Sequence, residues 1–253
     1  MMKKIILIAL LAILPVLCWG QGKVYTKKAR MEDFATKITK VVVDGESLLA
    51  LTFKEEVMRR WRISPFEFCT AEEYGRIKGN NGYFFLSLVI DEGVAFMQLT
   101  RGGDENADML HRPFEVVRIP FAADGASTGQ EFSFLGAILD VLQNFTEASV
   151  ESDIVGYASL SSYSTNQLKG KTVYLNPGDA DKAMNEGTPD AVCGIIITPV
   201  DITKKSSSYR MLISADTHEL YSFEQQRYKQ PGDRYFTDHE AKEFEKRNGI
   251  IVR

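Results

Sequence analysis

Asp104, Asn106 and Asp108 alternate along the chain, and Glu115 follows Asp104 by eleven residues. Side-chain oxygens at that spacing match positions 1, 3, 5 and 12 of a loop that wraps a hard cation such as calcium, which makes these four the candidate metal ligands. The match is incomplete. Met109 stands at the sixth position, where the sharp turn calls for glycine, Pro113 interrupts the loop, and the flanks read as strands where a helix–loop–helix calcium site has helices. A solvated acidic loop is the competing reading.

A second set of carboxylates falls at two turns, Asp91-Glu92 and Asp216 with Glu219. Brought together by folding they would make the acid and base of a hydrolase, whereas at separate turns they are ordinary polar punctuation. The histidines are His111, His218 and His239, and no two are spaced as metal ligands. His218 is expected in a turn between strands, where a positive φ is tolerated, and His239 in the first turn of a solvated helix. There is no GxSxG elbow, HExxH, CxxC, phosphate-binding loop or GxGxxG fingerprint. No cofactor is implied. Binding is therefore the expected function, and a carboxylate-dependent hydrolase is the alternative.

The elements that would position these residues are legible in outline. Lys40 to Asp44 reads as a strand. A helix follows from about Glu46 to Trp61 with Leu48, Leu51, Val57, Met58 and Trp61 as its apolar positions, then an extended Pro65 to Cys69. Thr70-Ala71-Glu72-Glu73 is a capping box that starts a short helix, and Tyr83 to Ile90 turns at Asp91-Glu92-Gly93 into Val94 to Thr100. The order is β-α-β-α-β-β. It recurs through Val116 to Phe121, a helix from Glu131 to about Ser149, Lys171 to Leu175, a helix capped by Asn176 with Pro177 behind it, Ala191 to Thr198 and Tyr209 to Ser214. Leu220 to Tyr228 adds a strand, and Thr237 to Glu240 caps a last amphipathic helix. Aligning Phe66 with Val173 also aligns Thr70 with Pro177 and Leu88 with Ile195, the pattern of an internal repeat. The expected fold is α+β, two β-α-β-α-β-β units at residues 21–110 and 111–253, with helices packed on a mixed, largely antiparallel sheet. The units form either one continuous domain or two packed lobes.

The first twenty residues give an address. Met1 to Lys4 is basic, Ile5 to Leu17 is an apolar run too short to span a bilayer, and Cys18-Trp19-Gly20 puts small residues at −3 and −1 before Gln21. That is the pattern of a cleaved secretory signal peptide. A lipid anchor on Cys18 fits less well, because Leu17 stands where a small side chain is required. Formal charge is −4 at pH 7 with 44% hydrophobic and 25% charged residues, the composition of a globular protein without the cationic footprint that nucleic acid demands. Cys69 and Cys193 remain after cleavage, and in an oxidising compartment either a disulfide or two buried thiols is admissible.

Residues Lys40 to Thr100 resemble the exported α/β modules of the TolB amino-terminal and CsgG/LpoB type. The resemblance runs through Val41-Val42-Val43, the helix to Trp61, Phe66-Glu67-Phe68 with its capped helix, and the strand from Tyr83. Trp61 to Phe68 and the hairpin Ser214 to Tyr221 are also similar to uncharacterised secreted proteins of Gram-negative bacteria. The resemblance implies helices on one mixed sheet and work in envelope assembly or interaction, with an envelope protein or a surface glycan as partner, and carries over no site residue.

Overall fold

In a computed structural model of the chain, the described residues are 28–103, 113–125, 129–158, 160–164, 167–202, 206–227, 236–248 and 251–253. The first stretch runs β1 (Ile38–Val42), α1 (Leu48–Arg60), β2 (Phe66–Cys69), α2 (Ala71–Ile77), β3 (Tyr83–Asp91) and β4 (Val94–Arg101), the order read from the sequence. β5 (Phe114–Ala123), α3 (Gln130–Glu151), the short α4 (Asp153–Tyr157) and α5 (Leu160–Tyr163), and β6 (Thr172–Tyr174) follow. The remainder is α6 (Pro177–Glu186), β7 (Ala191–Ile197), β8 (Ser207–Ser214), β9 (Leu220–Arg227), α7 (Asp238–Asn248) and β10 (Ile251–Val252).

The fold is α+β, built on two five-stranded mixed sheets of order β2-β1-β3-β4-β5 and β10-β6-β7-β8-β9. In each, the second strand in the order is parallel to both neighbours and the rest of the sheet is antiparallel. The antiparallel ladders are the longer ones, with six to eight residue pairs against two to four. β5 pairs with β4 and closes the first sheet, so the change of sheet falls after Ala123 and not at the expected 110/111 boundary. The edge strands also enter differently. β2 arrives between β1 and β3, whereas β10 arrives after β9 and α7, so the gapless alignment of Phe66 with Val173 matches an edge strand to an interior one.

Local chemistry explains the helix starts. Ser47, Thr70 and Asn176 each accept from backbone N–H groups of the following turn, and Thr237 and Glu240 satisfy each other's N–H groups as a complete capping box. At Thr70 only half the box forms, because the Glu73 carboxylate pairs with Lys40 at 3.2 Å. α1 differs from its expected face. Its buried stripe is Ala50, Phe53 and Val57 running on to Trp61, while Leu48, Leu51 and Met58 are exposed, Leu48 by 67%. Both stripes have helical spacing, and packing selects the one that includes the large Phe53 ring.

One cluster of buried apolar side chains draws on both sheets, with Val41, Phe84, Leu86 and Met97 from the first and Ile195, Met211 and Ile213 from the second. α3 is central to it. Leu135, Ile138, Leu142 and Phe145 are all buried as its periodicity implies, and so are Glu131, Gln143 and Thr146 on its other sides. At Gly136 the side chains of Glu56 and Arg60 occupy the space a Cβ would need. The sheets meet where Phe96 of β4 stands edge-on to Tyr209 of β8, ring centroids 5.5 Å apart. The outer face of the second sheet carries a separate cluster, Val173, Val192, Leu212 and Tyr221, covered by Phe236 and by Ala241 and Phe244 of α7. β7 is thus buried on both faces, as the unbroken apolar run of Ala191 to Ile197 requires. β3 is covered through Phe84 to Ser87 but emerges at Leu88, and Ile90 is 64% exposed.

Candidate functional site

Asp104, Asn106, Asp108 and His111 lie outside the described residues. Glu115 is on β5, where it accepts from Gln98 Nε2 at 2.6 Å and stands 3.9 Å from Arg118 Nε. Asp91 pairs with Arg118 at 2.7 Å, and Glu92 turns the β3–β4 hairpin at φ +48°. Asp91 and Glu92 act electrostatically on Tyr209 near the start of β8, whereas Asp216 and Glu219 follow the end of that strand. Asp216 is absorbed in its own turn, accepting from Ser214 and from the Thr217 and Asp190 N–H groups, which hold its carboxyl below the usual range. Among the described residues no group of three His, Cys, Asp or Glu side chains is arranged for a metal ion.

Cys69 and Cys193 are free, buried thiols on different sheets, the first at the end of edge strand β2 and the second in central β7. Burial, with the Asp181 charge, pushes the Cys193 thiol up to about 12.

The structure brings together two sites that spacing did not reveal. The first is a cavity of about 970 Å3. It opens over the carboxyl ends of the parallel strands β6, β7 and β10, and is closed by the end of β5, the starts of α3 and α6, and α7. Crevices outside the carboxyl ends of parallel strands are where open α/β sheets take ligands, because there the crossover helix and its strands diverge. Phe121, Leu175, Ile195, Ile197, Phe236 and Val252 give it an apolar part of the wall. Gly194 of β7 lines it too. A Cβ there would lie 2.7 Å from the Phe236 ring and 2.9 Å from Leu175, so glycine is what lets Phe236 lie against the strand.

Two acidic residues of the lining stand near helix starts, while Asp238, Lys242, Glu245 and Arg253 line it from α7 and the end of β10. Glu131 is in the first turn of α3 and only 6% exposed, and Asp181 is in the second turn of α6. The helix dipole of α3 favours a carboxylate at Glu131. Burial pushes the Asp181 carboxyl up, opposed by a hydrogen bond from Gln130 and reinforced by the Glu131 charge, and Asp181 Oδ1 is buried with no hydrogen-bond partner among the described residues.

The second site is centred on Asp140 of α3. His218 Nδ1 donates to its Oδ2 at 2.7 Å, Arg60 reaches the same oxygen at 2.8 Å, and Arg62 and Gln143 reach Oδ1 at 3.1 and 3.0 Å. Arg60 also binds Glu56, which Arg59 binds in turn. His218 adopts φ +55° in the β8–β9 turn, as its sequence context implies. Val141, Asn144, Tyr163, His218, Glu219 and Leu220 line a recess of about 110 Å3 beside it, which is room for water or one small group. An imidazole oriented by a carboxylate is a proton-transfer arrangement, but two guanidinium groups neutralise this carboxylate and the recess admits no sizeable substrate. The network chiefly ties α1, α3 and the β8–β9 turn together.

Comparison with protein-family models, with curated proteins and with solved structures gives no match. No helix among the described residues is long and apolar enough to cross a membrane.

Proposed function

We propose that this chain is an exported cell-envelope protein, directed by residues 1–20 and beginning at Gln21 after cleavage, that binds a group presented by an envelope protein or a surface glycan and performs no chemistry on it. The observation that carries the reading is the cavity of about 970 Å3 over the carboxyl ends of β6, β7 and β10, lined by apolar and polar side chains together. The alternative, a carboxylate-dependent hydrolase built on Asp91, Glu92, Asp216 and Glu219, draws less support, because Asp91 is engaged by Arg118 and Asp216 by its own turn. The basic and apolar leader and the likeness of Lys40 to Thr100 to exported envelope modules support the address.

Native mass spectrometry of the protein taken gently from its own cells tests the reading. The mature mass should start at Gln21 and carry an adduct that is lost in Val200→Trp, a substitution at the half-exposed rim of the cavity that fills it from outside the core. A species without any adduct, together with turnover of a glycan or peptide library that His218→Ala abolishes, would overturn binding in favour of catalysis.

A further inference from the structure

β7 outruns one of its neighbours. It continues to Ile197, but β6 is registered against it only as far as Tyr174 opposite Cys193, after which the chain turns through Asn176 into α6. On its other side β7 is paired with β8 to the end, Ile197 opposite Tyr209, with no break in register. Alternation decides which backbone groups this leaves open. Asp190 C=O accepts from Thr172 on the β6 side, and Ala191 C=O accepts from Ala215 just beyond β8. Even-numbered residues of β7 therefore turn their N–H and C=O toward β6, and odd-numbered ones toward β8. Beyond Cys193, the Gly194 C=O and both backbone groups of Ile196 face a lane that holds no strand, and no partner for them occurs among the described residues.

That lane is the cavity. Gly194 to Thr198 all line it, although Ile195 and Ile197 belong to the face of β7 that packs in the main core and Gly194 lies on the opposite face against Phe236. Successive side chains of a strand point to opposite faces, so residues of both faces share one space only where that space runs along the strand's edge. Phe121, Ala122 and Ala123 line the cavity in the same consecutive way from β5, the edge of the first sheet. The space is therefore bounded by the edges of two strands, with Ile195 and Ile197 toward the main core and Phe236 and Ala241 toward the outer cluster.

An open row of backbone donors and acceptors matches a guest that carries complementary groups at the same repeat, which an extended polypeptide does at about 3.3 Å per residue. Apolar side chains on both faces suit a guest whose own side chains are apolar, as in any strand covered on both faces. We infer that the cavity takes an extended apolar peptide segment, which adds to β7 along Gly194–Thr198 and continues the β6–β7 ladder where β6 leaves it. This rests on the reading of the cavity as the binding site and selects, of the two partner classes, an envelope protein. The open stretch is about 16 Å of strand, enough to engage four or five residues of the guest.

Affinity selection on the full mature chain, read by mass spectrometry, tests the inference. The probes are a pool of acetylated pentapeptide amides built from Val, Ile, Phe and Thr and a pool of glucose and N-acetylglucosamine oligomers. Peptides should be retained in preference to oligosaccharides, and Val200→Trp at the rim should weaken the best peptide at least about tenfold. N-methylation of that peptide, one amide at a time, should weaken it at least about tenfold at one or more positions, because each methyl removes a backbone donor. In the complex the Ile196 amide should exchange with deuterium at least about tenfold more slowly, and the Val192 amide, already within the β6–β7 ladder, should change less. A peptide that tolerates every N-methylation, or leaves Ile196 unprotected, is held by apolar contact alone, which overturns strand addition and keeps the cavity as the binding site. Preferred retention of oligosaccharides, lost in Val200→Trp, has the same meaning. If no probe is retained the inference falls, and a native adduct on the same protein shows that the cavity still binds. Binding untouched by both Val200→Trp and Ala241→Trp overturns the inference and the assignment of the site together.

Discussion

His218 Nδ1 lies 2.7 Å from Asp140 Oδ2, across 78 residues of sequence, and that hydrogen bond fastens the β8–β9 turn to the middle of the helix at the centre of the molecule. Both side chains are 13% exposed, so the bond is sheltered from water without being sealed from it. Replacing Asp140 with alanine removes the anion that Arg60, Arg62 and His218 share and leaves Arg60 with Glu56 alone. The expected cost is about 3 kcal/mol, near the lower figure for breaking a buried pair. His218→Ala should cost about 1 kcal/mol, and a double-mutant cycle between the two positions should return a coupling of about 1 kcal/mol or more by urea unfolding. A coupling indistinguishable from zero would mean that the two residues merely lie side by side.

The same carboxylate makes stability depend on pH in a definite direction. Burial pushes the Asp140 carboxyl up, but the His218 hydrogen bond and the Arg60 and Arg62 charges outweigh it and hold the group below the ordinary range. A carboxyl whose folded value is depressed stabilises the protein above its unfolded value of about 3.9, and that contribution disappears as pH falls through the folded value. The melting-temperature gap between wild type and Asp140→Asn should therefore be full at pH 6 and shrink steadily below about pH 4. Glu56 is also held low, since the hydrogen bonds and charges of Arg59 and Arg60 outweigh the effect of its burial, so acid should loosen α1 along with the turn. A gap that is constant from pH 6 to pH 2.5 would contradict the assignment.

Charge introduced into the two central strands should have unequal effects. Ile195 is almost fully buried on β7, and Ile195→Asp should cost roughly 3 kcal/mol or more, enough to unfold a marginal protein. Leu88 is only half-buried, where β3 leaves the core, and Leu88→Asp should cost about 1–2 kcal/mol. Circular-dichroism melts of the pair decide it, and equal losses would place Leu88 deeper than it is found.

Both cysteines should resist chemistry in the native state. The Cys193 thiol is pushed to about 12 by burial and the Asp181 charge, and burial with the Glu73 charge raises that of Cys69 against the effect of Lys40. Thiolate is the reactive form, so a maleimide at pH 8 should label neither position in the folded protein and both in guanidinium chloride. Rapid native labelling of Cys193 would show that β7 opens.

Much of the architecture was open to reading because it depends on signals within a few residues of one another. The order of elements from β1 to β4, the caps at Thr70 and Asn176 and the buried stripe Leu135, Ile138, Leu142 and Phe145 all come from local spacing. Choices made by packing were not legible. α1 carries two apolar stripes of helical period, and only its approach to α3 near Gly136 decides that Phe53 is buried while Leu48 faces water. β5 reads as the opening strand of a second unit, yet it pairs with β4. The turn conformation of His218 followed from its context, but its partner Asp140 did not, because nothing local marks one acid on a largely buried helix. Glu131 marks a helix start in the sequence, and nothing local marks Asp181. The cavity they share exists only once β6, β7 and α3 are in place.

The differing origin of the two edge strands has a consequence for a chain delivered amino terminus first. All five strands of the first sheet lie between Ile38 and Ala123, so that sheet can pair completely while the rest of the polypeptide is still being synthesised. The second sheet must wait for Ile251 and Val252, and with them for α7, before β6 has its outer neighbour and the cavity has its cover. In synthesis from the amino terminus the cavity is therefore the last part of the molecule that can be closed.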